Sequence, residues 1–302
     1  MTVVENVTLA PFRMFDVRVS RVRRLSPSFV RVTFTGADLD RFADNGYDQR
    51  VKLILPLPDV GLAPLPSGPH WHSAWRALPE DLRNPVRTYT ARRVRPDQRE
   101  VDIDMVLHGD SGPASRFGLR ARTGDPAVLL GPDADYPGRH GGLEFAPPPG
   151  YRGPLLLVGD ETALPAVANI VERLPHDSVG QVVLEVPHAG DRWDLDAPAG
   201  LAVTWLVRED PGSRDGLVRE VRQVVSRPAF GSGRTAIAEE PDDVLLWDVA
   251  EPDDTADGPL YAWVAGEAAS VRAVRRHLVS DLGYDRRAVS FMGYWRRGRP
   301  EA

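Results

Sequence analysis

The sequence predicts a two-domain chain in which a small antiparallel β-barrel precedes an α/β domain with a doubly wound parallel sheet. Three observations predict this order. The first half contains segments in which apolar and polar residues alternate, with few helical segments. The second half alternates short apolar strands with helical segments. Between them, residues 143–154 (LEFAPPPGYRGP) are proline-rich and aperiodic, which is typical of a linker.

Six strands are predicted in the barrel, which we assign to residues 1–148. They cover residues 15–22, 29–36, 51–55, 87–94, 101–107 and 127–130. A short helix is predicted over 113–122, and residues 57–84, rich in Pro, Gly and Trp, are interpreted as an irregular surface excursion. Asp102 and Asp104 alternate along one strand, which favours an exposed face over a catalytic pair.

The second domain is assigned to residues 149–302 and begins with the apolar run 155–158, typical of a buried parallel strand. Further strands are predicted over 181–186, 201–207, 261–264 and 289–292, and helices over 161–174, 215–225 and 267–282. In the last helix Val271, Val274 and Leu278 form the buried stripe. The acidic residues 236–259 are interpreted as a surface insertion.

Composition excludes several classes of protein. The chain has no cysteine, which removes disulfides, thiolate metal sites and cysteine nucleophiles and fits a reducing compartment. We expect a cytoplasmic protein, because the N-terminus lacks a signal-peptide pattern. No apolar run approaches the roughly 20 residues that span a bilayer, so no membrane insertion is expected. The net charge of -6 argues against nucleic-acid binding.

Metal binding by the protein itself is not expected. The seven histidines are scattered, and the close pair His70 and His72 falls in the irregular excursion, where a plain loop is favoured. Oligomeric state is not given by the sequence, and a monomer is the simplest expectation.

Residues 87–90 and 109–115 predict a site for a flat ring with a phosphate tail. Arg87 and Tyr89 share one strand face, and they offer a guanidinium for phosphate and an aromatic plane for the ring. Gly109 and Gly112 precede Pro113, which suits the first position of a helix whose N-terminus attracts phosphate. The alternative is a surface strand followed by an ordinary glycine-capped helix.

The motifs RTYT, VDIDMVLHGDSGPAS, AVLLGP, GDETALPA, VAGE and SFMGYWRRG occur in this order. Together they resemble the siderophore-interacting protein family, which comprises FAD-dependent ferric-siderophore reductases of the ferredoxin-reductase superfamily. The resemblance extends from about the second strand to Arg299. It implies a two-domain ferredoxin-reductase-like fold, with FAD on the barrel and NAD(P)H on the α/β domain.

For the flavin, the resemblance implies that Tyr89 lies along the ring system, that Thr90 approaches its reactive edge and that Arg87 pairs with the phosphates. No catalytic residue is implied beyond the flavin itself. The complete set of implied FAD contacts is Arg87, Thr88, Tyr89, Thr90, Val106, Leu107, His108, Gly112, Pro113, Ala114 and Ser115.

For the nicotinamide nucleotide, the resemblance implies contacts from Gly159, Asp160, Glu161, Thr162, Ala163, Pro165, Gly266 and Glu267. The choice between NADH and NADPH depends on the end of the second strand, where Glu185 favours NADH. Arg192, Arg208 and Arg214 are near enough in sequence to leave that choice open.

For the ferric siderophore, the resemblance implies a basic cluster. Lys52 is the only lysine among 37 Lys and Arg residues, and a compact ammonium can approach a crowded anionic chelate. The chain is expected to return to the flavin at its C-terminus, where Trp295 and Arg296 or Arg297 complete the cluster.

The implied function is cytoplasmic reduction of ferric siderophores, in which NAD(P)H reduces FAD and single electrons then release iron as Fe(II). Two alternatives remain. The chain could be a reductase of free flavin or of a partner monooxygenase. It could also be a flavoprotein that binds siderophores without turnover.

Overall fold

The chain divides into two compact units in the computed structural model, which describes residues 9–107, 112–208, 215–226, 246–250 and 260–298. The first unit consists of Met1–Leu25, Phe29–Asn45 and Gln49–Gly142. The second consists of Ser26–Ser28, Gly46–Asp48 and Leu143–Ala302. The main part of the second unit therefore begins inside the stretch that the sequence suggests as a linker.

The first unit is a curled antiparallel sheet. Its strands are β1 Phe12–Arg24, β2 Phe29–Thr35, β3 Arg50–Ile54, β4 Val86–Thr90, β5 Arg93–Arg95, β6 Glu100–Val106 and β7 Pro126–Pro132. Their order is β4-β3-β7-β1-β2-β6-β5. Strands β2, β6 and β7 are buried over most of their length. Helix α1 covers Trp71–Ala77 and helix α2 covers Pro113–Arg120.

The sheet has seven strands rather than the predicted six because the predicted strand over 87–94 is broken at Ala91 and Arg92. Its two parts, β4 and β5, lie at opposite edges of the sheet. The amide of Ala91 donates to the backbone carbonyl of Gln49 at 2.9 Å. The next amide along the chain, that of Arg92, donates to the backbone carbonyl of Asp102 at 2.9 Å. Consecutive amides thus bond beside β3 and on β6, which curls the sheet towards a barrel.

Asp102 and Asp104 are buried, so the prediction of an exposed face is wrong for this pair. Nε and Nη2 of Arg31 bind the two carboxylate oxygens of Asp104 at 2.6 and 2.7 Å. Arg95 binds both oxygens of Asp102 at 2.8 and 2.9 Å, and Thr33 donates to Asp102 at 2.7 Å. Arginines on neighbouring strands allow the carboxylates to be buried.

The second unit contains a six-stranded mixed sheet. Its strands are β8 Leu155–Gly159, β9 Val179–Val186, β10 Gly200–Val207, β11 Trp247–Asp248, β12 Tyr261–Glu267 and β13 Val289–Trp295. The order is β10-β9-β8-β12-β13-β11, and β11 alone pairs antiparallel. The helices described are α3 Leu164–Val171, α4 Asp215–Val225 and α5 Ala268–Arg275. The strand order reverses between β8 and β12, which creates a crevice at the carboxyl ends of these strands.

The predicted fold class is confirmed, with local differences. The apolar run at the start of β8 is buried as a central strand, and Val271, Val274 and Leu278 are buried together. Helix α5 continues directly into a π-helical turn, Arg276–Asp281, so the helical segment extends over nearly the whole predicted range 267–282. The interpretation of residues 57–84 as wholly irregular is wrong, because this stretch contains helix α1. Within α1 the ring of His72 stacks on the ring of Trp75, with 5.7 Å between the ring centroids.

The described residues contain no helix long and apolar enough to cross a bilayer. They also contain no group of three or more His, Cys, Asp or Glu side chains positioned to hold a metal ion.

Asp48 is a fully buried carboxylate of the second unit. It accepts hydrogen bonds from the amides of Glu144 and Phe145 at 3.1 Å and from the indole of Trp263 at 2.9 Å. Burial, followed by the nearby Glu144 carboxylate, raises the pKa of Asp48 to about 6, although these three donors oppose the rise. Asp48 therefore binds a proton more tightly in the folded chain than in the unfolded chain.

The pKa of Asp48 predicts that its contribution to stability is present at low pH and is lost as pH rises from about 4 through about 6. The difference in free energy of unfolding between the wild type and Asp48→Asn should then fall by about 3 kcal/mol. Urea titrations at several pH values measure this difference. Asp97→Asn, the same change at an exposed position, is the control. A pH-independent difference would contradict the prediction.

Candidate functional site

Strand β4 presents different predicted flavin contacts on its two faces. In the pairing with β3, Tyr89 lies opposite Val51 and Arg87 lies opposite Leu53, so both share the face that carries these buried side chains. Thr88 lies opposite Lys52 and Thr90 lies opposite Arg50 on the other face. The strand can therefore offer an aromatic ring and a guanidinium on one side and hydroxyls on the other.

Lys52 lies beside these hydroxyls. Its Nζ donates to Oγ1 of Thr88 at 3.3 Å, which holds the ammonium against β4. Thr90, two residues along on the same face, is buried. The structure thus brings together, within the first unit, one of the residues predicted to bind siderophore and two residues predicted to bind flavin.

The N-terminus of helix α2 has the features of an anion-binding site. Gly112 is its N-cap residue, Pro113 is the first helical residue, and within the described chain no side chain caps this end. A Cβ built on Gly112 would have no heavy atom of the described residues within 4 Å. Amides at a helix N-terminus favour phosphate in such a position.

The residues of the first unit fit FAD. An uncapped helix start with Ala114 and Ser115 in its first turn suits the pyrophosphate, and β4 supplies a partly exposed tyrosine and arginine for the ring and phosphates. Val106 ends β6, and Leu107 packs with Tyr89 against the core of this unit. The predicted contact His108 lies outside the described residues. These assignments stay predictions.

In the second unit, the carboxylate of Asp160 joins three segments of the crevice. It accepts from the amide and hydroxyl of Thr162 at 2.9 and 2.5 Å, from the amide of Glu267 at 2.8 Å and from the indole of Trp295 at 2.7 Å. Burial and then the carboxylate of Glu161 raise the pKa of Asp160, and its donors oppose this rise.

Gly266 allows the carboxylate of Asp160 to approach the end of β12. A Cβ on Gly266 would lie 2.7 Å from Oδ2 of Asp160, and its φ of +144° is one that other residues rarely adopt. Most of the residues predicted to bind NAD(P)H therefore lie at one edge of the sheet. Gly159 ends β8, Asp160 to Ala163 form the following turn, and Pro165 lies in the first turn of α3.

Two of these residues use their polar groups within the protein. Oε2 of Glu267 accepts from the amides of Ala269 and Ser270 at 2.8 and 3.2 Å and caps α5. Thr162 directs its hydroxyl proton to Asp160, so towards a ligand it can act only as an acceptor.

Glu161 is sequestered by Arg208, the residue that follows β10. Arg208 donates to Oε1 and Oε2 of Glu161 at 3.1 and 2.6 Å and to Oε2 of Glu185 at 3.0 Å. Burial tends to lower the pKa of Arg208, but the bonds to Glu161 and Glu185 outweigh burial and raise it. The guanidinium is therefore a permanent cation between two carboxylates.

A cleft of about 320 Å³, including the solvent at its mouth, lies at this edge of the sheet. It is lined by Asp160, Glu185, Arg208, Leu217, Glu267, Ser270, Trp295 and Arg297. Leu217 and Ser270 were not predicted from the sequence. The signal that could have found Ser270 and Arg208 is their position just after β12 and β10, since ligands bind at the carboxyl ends of such strands.

The residues predicted to bind siderophore are divided between the two units. Lys52 is in the first unit, whereas Trp295, Arg296 and Arg297 are in the second. Trp295 and Arg297 line the cleft, and the amide of Arg297 donates to Glu267 at 3.4 Å. Contact of these residues with a siderophore stays a prediction.

At Gly112, a substitution that leaves the stability of the flavin-free protein unchanged should still weaken FAD binding. Gly112→Ser should change the free energy of unfolding of the flavin-free protein by less than about 0.5 kcal/mol, because serine is a good N-cap. It should weaken FAD binding about tenfold, because its hydroxyl competes for the amides that would hold the phosphate. Fluorescence titration of flavin-free protein with FAD measures the affinity. Gly112→Ala is the control, because alanine adds a Cβ at this position but no hydroxyl to compete for the amides. Unchanged FAD affinity in both variants would contradict the prediction.

Trp295→Phe tests the bond to Asp160. It removes a donor to a buried carboxylate and keeps an aromatic ring, so we expect a loss of about 2 kcal/mol in the free energy of unfolding. Urea titration followed by circular dichroism measures the loss. Trp247→Phe applies the same change at a residue with 39% exposure. Equal effects of the two variants would show that the bond to Asp160 contributes nothing.

Both units of the chain match a known protein family. Residues 18–136 match the siderophore-interacting FAD-binding domain, and residues 154–298 match the siderophore-interacting protein family. Ferric vibriobactin reductase ViuB of Vibrio cholerae serotype O1 (strain ATCC 39541 / Classical Ogawa 395 / O395) is 29% identical over 93% of this chain and 89% of its own length. The NADPH-dependent ferric-chelate reductase of Escherichia coli (strain K12) is 27% identical over 94% of this chain and 93% of its own length.

A solved structure gives the same result. The siderophore-interacting protein SipS from Aeromonas hydrophila is 30% identical, with a TM-score of 0.66 over 95% of this chain and 93% of that chain. Sequence and structural matches therefore extend over both units. The chain belongs to the siderophore-interacting protein family and carries that family's FAD-binding domain.

Proposed function

We propose that this protein reduces ferric siderophores with electrons that bound FAD receives from NAD(P)H. The names of its relatives from V. cholerae and E. coli, a ferric vibriobactin reductase and an NADPH-dependent ferric-chelate reductase, support this reaction class. The observation that carries the proposal is the position of Lys52. The single lysine of the chain lies against Thr88, on the strand face that also carries Thr90.

When bound, FAD would supply the redox chemistry, namely hydride acceptance from NAD(P)H and single-electron transfer to each of two Fe(III) ions held by siderophores. The chain supplies binding and charge. Arg87 and the N-terminus of α2 hold the phosphates, and Tyr89 supports the ring system. The ammonium of Lys52 attracts an anionic chelate towards the face where Thr88 and Thr90 lie.

Reduction releases the metal, because Fe(II) is held less tightly than Fe(III) by hard oxygen chelators. No protein acid or base is needed for electron transfer to the metal. This agrees with Asp102 and Asp104, whose buried carboxylates are bound by arginines and Thr33 and so belong to the fold of the first unit. Trp295, Arg296 and Arg297 are proposed to complete the siderophore contacts, and a cytoplasmic location stays a prediction.

Two other functions would be distinguished by the same measurements. A reductase of free flavin or of a partner monooxygenase would reduce free flavin faster than ferric chelates. A siderophore carrier would keep its flavin oxidised when NADH or NADPH is added without oxygen.

Anaerobic spectroscopy tests the proposal. We expect NADH or NADPH to bleach the flavin absorbance of the purified protein and a ferric siderophore to restore it, with Fe(II) trapped by a coloured chelator. Lys52→Met should lower kcat/KM about tenfold for a strongly anionic catecholate chelate and much less for an uncharged hydroxamate chelate.

Lys52→Arg is the matched control, because it keeps the charge and changes its shape. An equal loss of kcat/KM for both chelates in Lys52→Met would show that the charge of Lys52 does not attract the chelate. Protein that neither carries flavin nor binds added FAD would overturn the proposed function.

A further inference from the structure

The choice between NADH and NADPH depends on whether the arginine at the carboxyl end of β10 can bind a phosphate. Arg208 is the guanidinium at the carboxyl end of β10, and a free guanidinium there would suit the 2'-phosphate of NADPH. Three of its five N–H groups instead bond to Glu161 and Glu185 at 2.6 to 3.1 Å. Its side chain is 15% exposed, and that of Glu161 is 1% exposed.

Glu185 lies at the strand position from which an acidic residue binds the nucleotide ribose in doubly wound sheets. It is the penultimate residue of β9, the second strand of the unit's parallel sheet, and it lines the cleft. In doubly wound nucleotide-binding sheets an acidic side chain at this position accepts the hydrogen bond of the ribose 2'-hydroxyl. Oε2 of Glu185 is held by Arg208, which leaves Oε1 to face the start of α4.

Space is available beside this oxygen. A Cβ built on Gly216, in the first turn of α4, would come within 3.3 Å of Oε1. With glycine there, a hydroxyl can approach Oε1 without meeting a side chain at that position. A larger group such as a phosphate would have to approach the same carboxylate.

The surrounding charge opposes a phosphate. Among the described residues at this edge, Glu161, Glu185, Asp160 and Glu267 carry four carboxylates, whereas Arg208 and Arg297 carry two guanidiniums. Moving Arg208 out to meet a phosphate would remove two charged hydrogen bonds from the nearly buried Glu161, which is costly.

We propose that Glu185, fixed by Arg208, makes this protein selective for NADH by accepting the ribose 2'-hydroxyl and repelling a 2'-phosphate. This inference rests on the proposed function, since it assigns the electron donor of the same site. Arg208 acts as a positioning residue, and Glu185 is the residue that contacts the nucleotide.

Isothermal titration calorimetry of the full-length, FAD-loaded protein with NAD⁺ and NADP⁺ tests the inference without turnover. We expect NAD⁺ to bind at least about tenfold more tightly than NADP⁺, a difference of about 1.4 kcal/mol. The adenosine-half probes 5'-AMP and 2',5'-ADP should show the same order.

Glu185→Gln keeps the shape of the side chain and removes its charge. It should narrow the ratio of NAD⁺ to NADP⁺ affinity about tenfold, mainly by strengthening NADP⁺ binding. Glu80→Gln, the same change at an exposed residue of the first unit, should leave the ratio unchanged.

Equal or tighter binding of NADP⁺ by the wild type, or an unchanged ratio in Glu185→Gln, would overturn the inference. If the protein still reduced ferric siderophores with NADPH, the proposed function would stand and only the selectivity would be wrong. Absence of binding by either nucleotide would overturn both.

Discussion

The second unit depends on the burial of one carboxylate, that of Asp160. Its four donors come from the turn after β8, from the junction of β12 with α5 and from the last residue of β13. A buried carboxylate is costly unless it is fully hydrogen-bonded, so these segments must meet for the unit to fold. The crevice between β8 and β12 is therefore shaped by an internal requirement before any nucleotide binds.

That requirement changes the roles of the residues around it. Glu161 follows Asp160 directly, and two adjacent buried carboxylates need a cation, which Arg208 provides. Glu267 caps α5, so the amides that it binds are not available to phosphate. These acidic side chains form the walls of the crevice, while the ends of β8, β9 and β12 provide the positions from which a nucleotide can be bound.

Sequence patterns predicted the fold because periodicity reports burial, but they could not predict how polar groups are paired. The apolar run at the start of β8 is typical of a buried strand, and Pro113 after Gly112 suits the start of a helix, as the structure shows at both places. The burial of Asp102 and Asp104 was missed because alternation along β6 is the same for exposed and ion-paired faces. The ion pairs with Arg31 and Arg95, which alternation does not report, allow this face to be buried.

The same pairing explains why arginine dominates and why Lys52 differs. Arg31, Arg95 and Arg208 each grip a carboxylate with two nitrogen atoms, a geometry that an ammonium cannot reproduce. At these positions the fold itself selects arginine. Lys52 donates to the hydroxyl of Thr88, where a fork of donors has no such advantage and a compact charge can lie close to the strand. The lysine that composition singles out therefore occupies a position with a different chemical demand, on the strand face where an anionic substrate is proposed to bind.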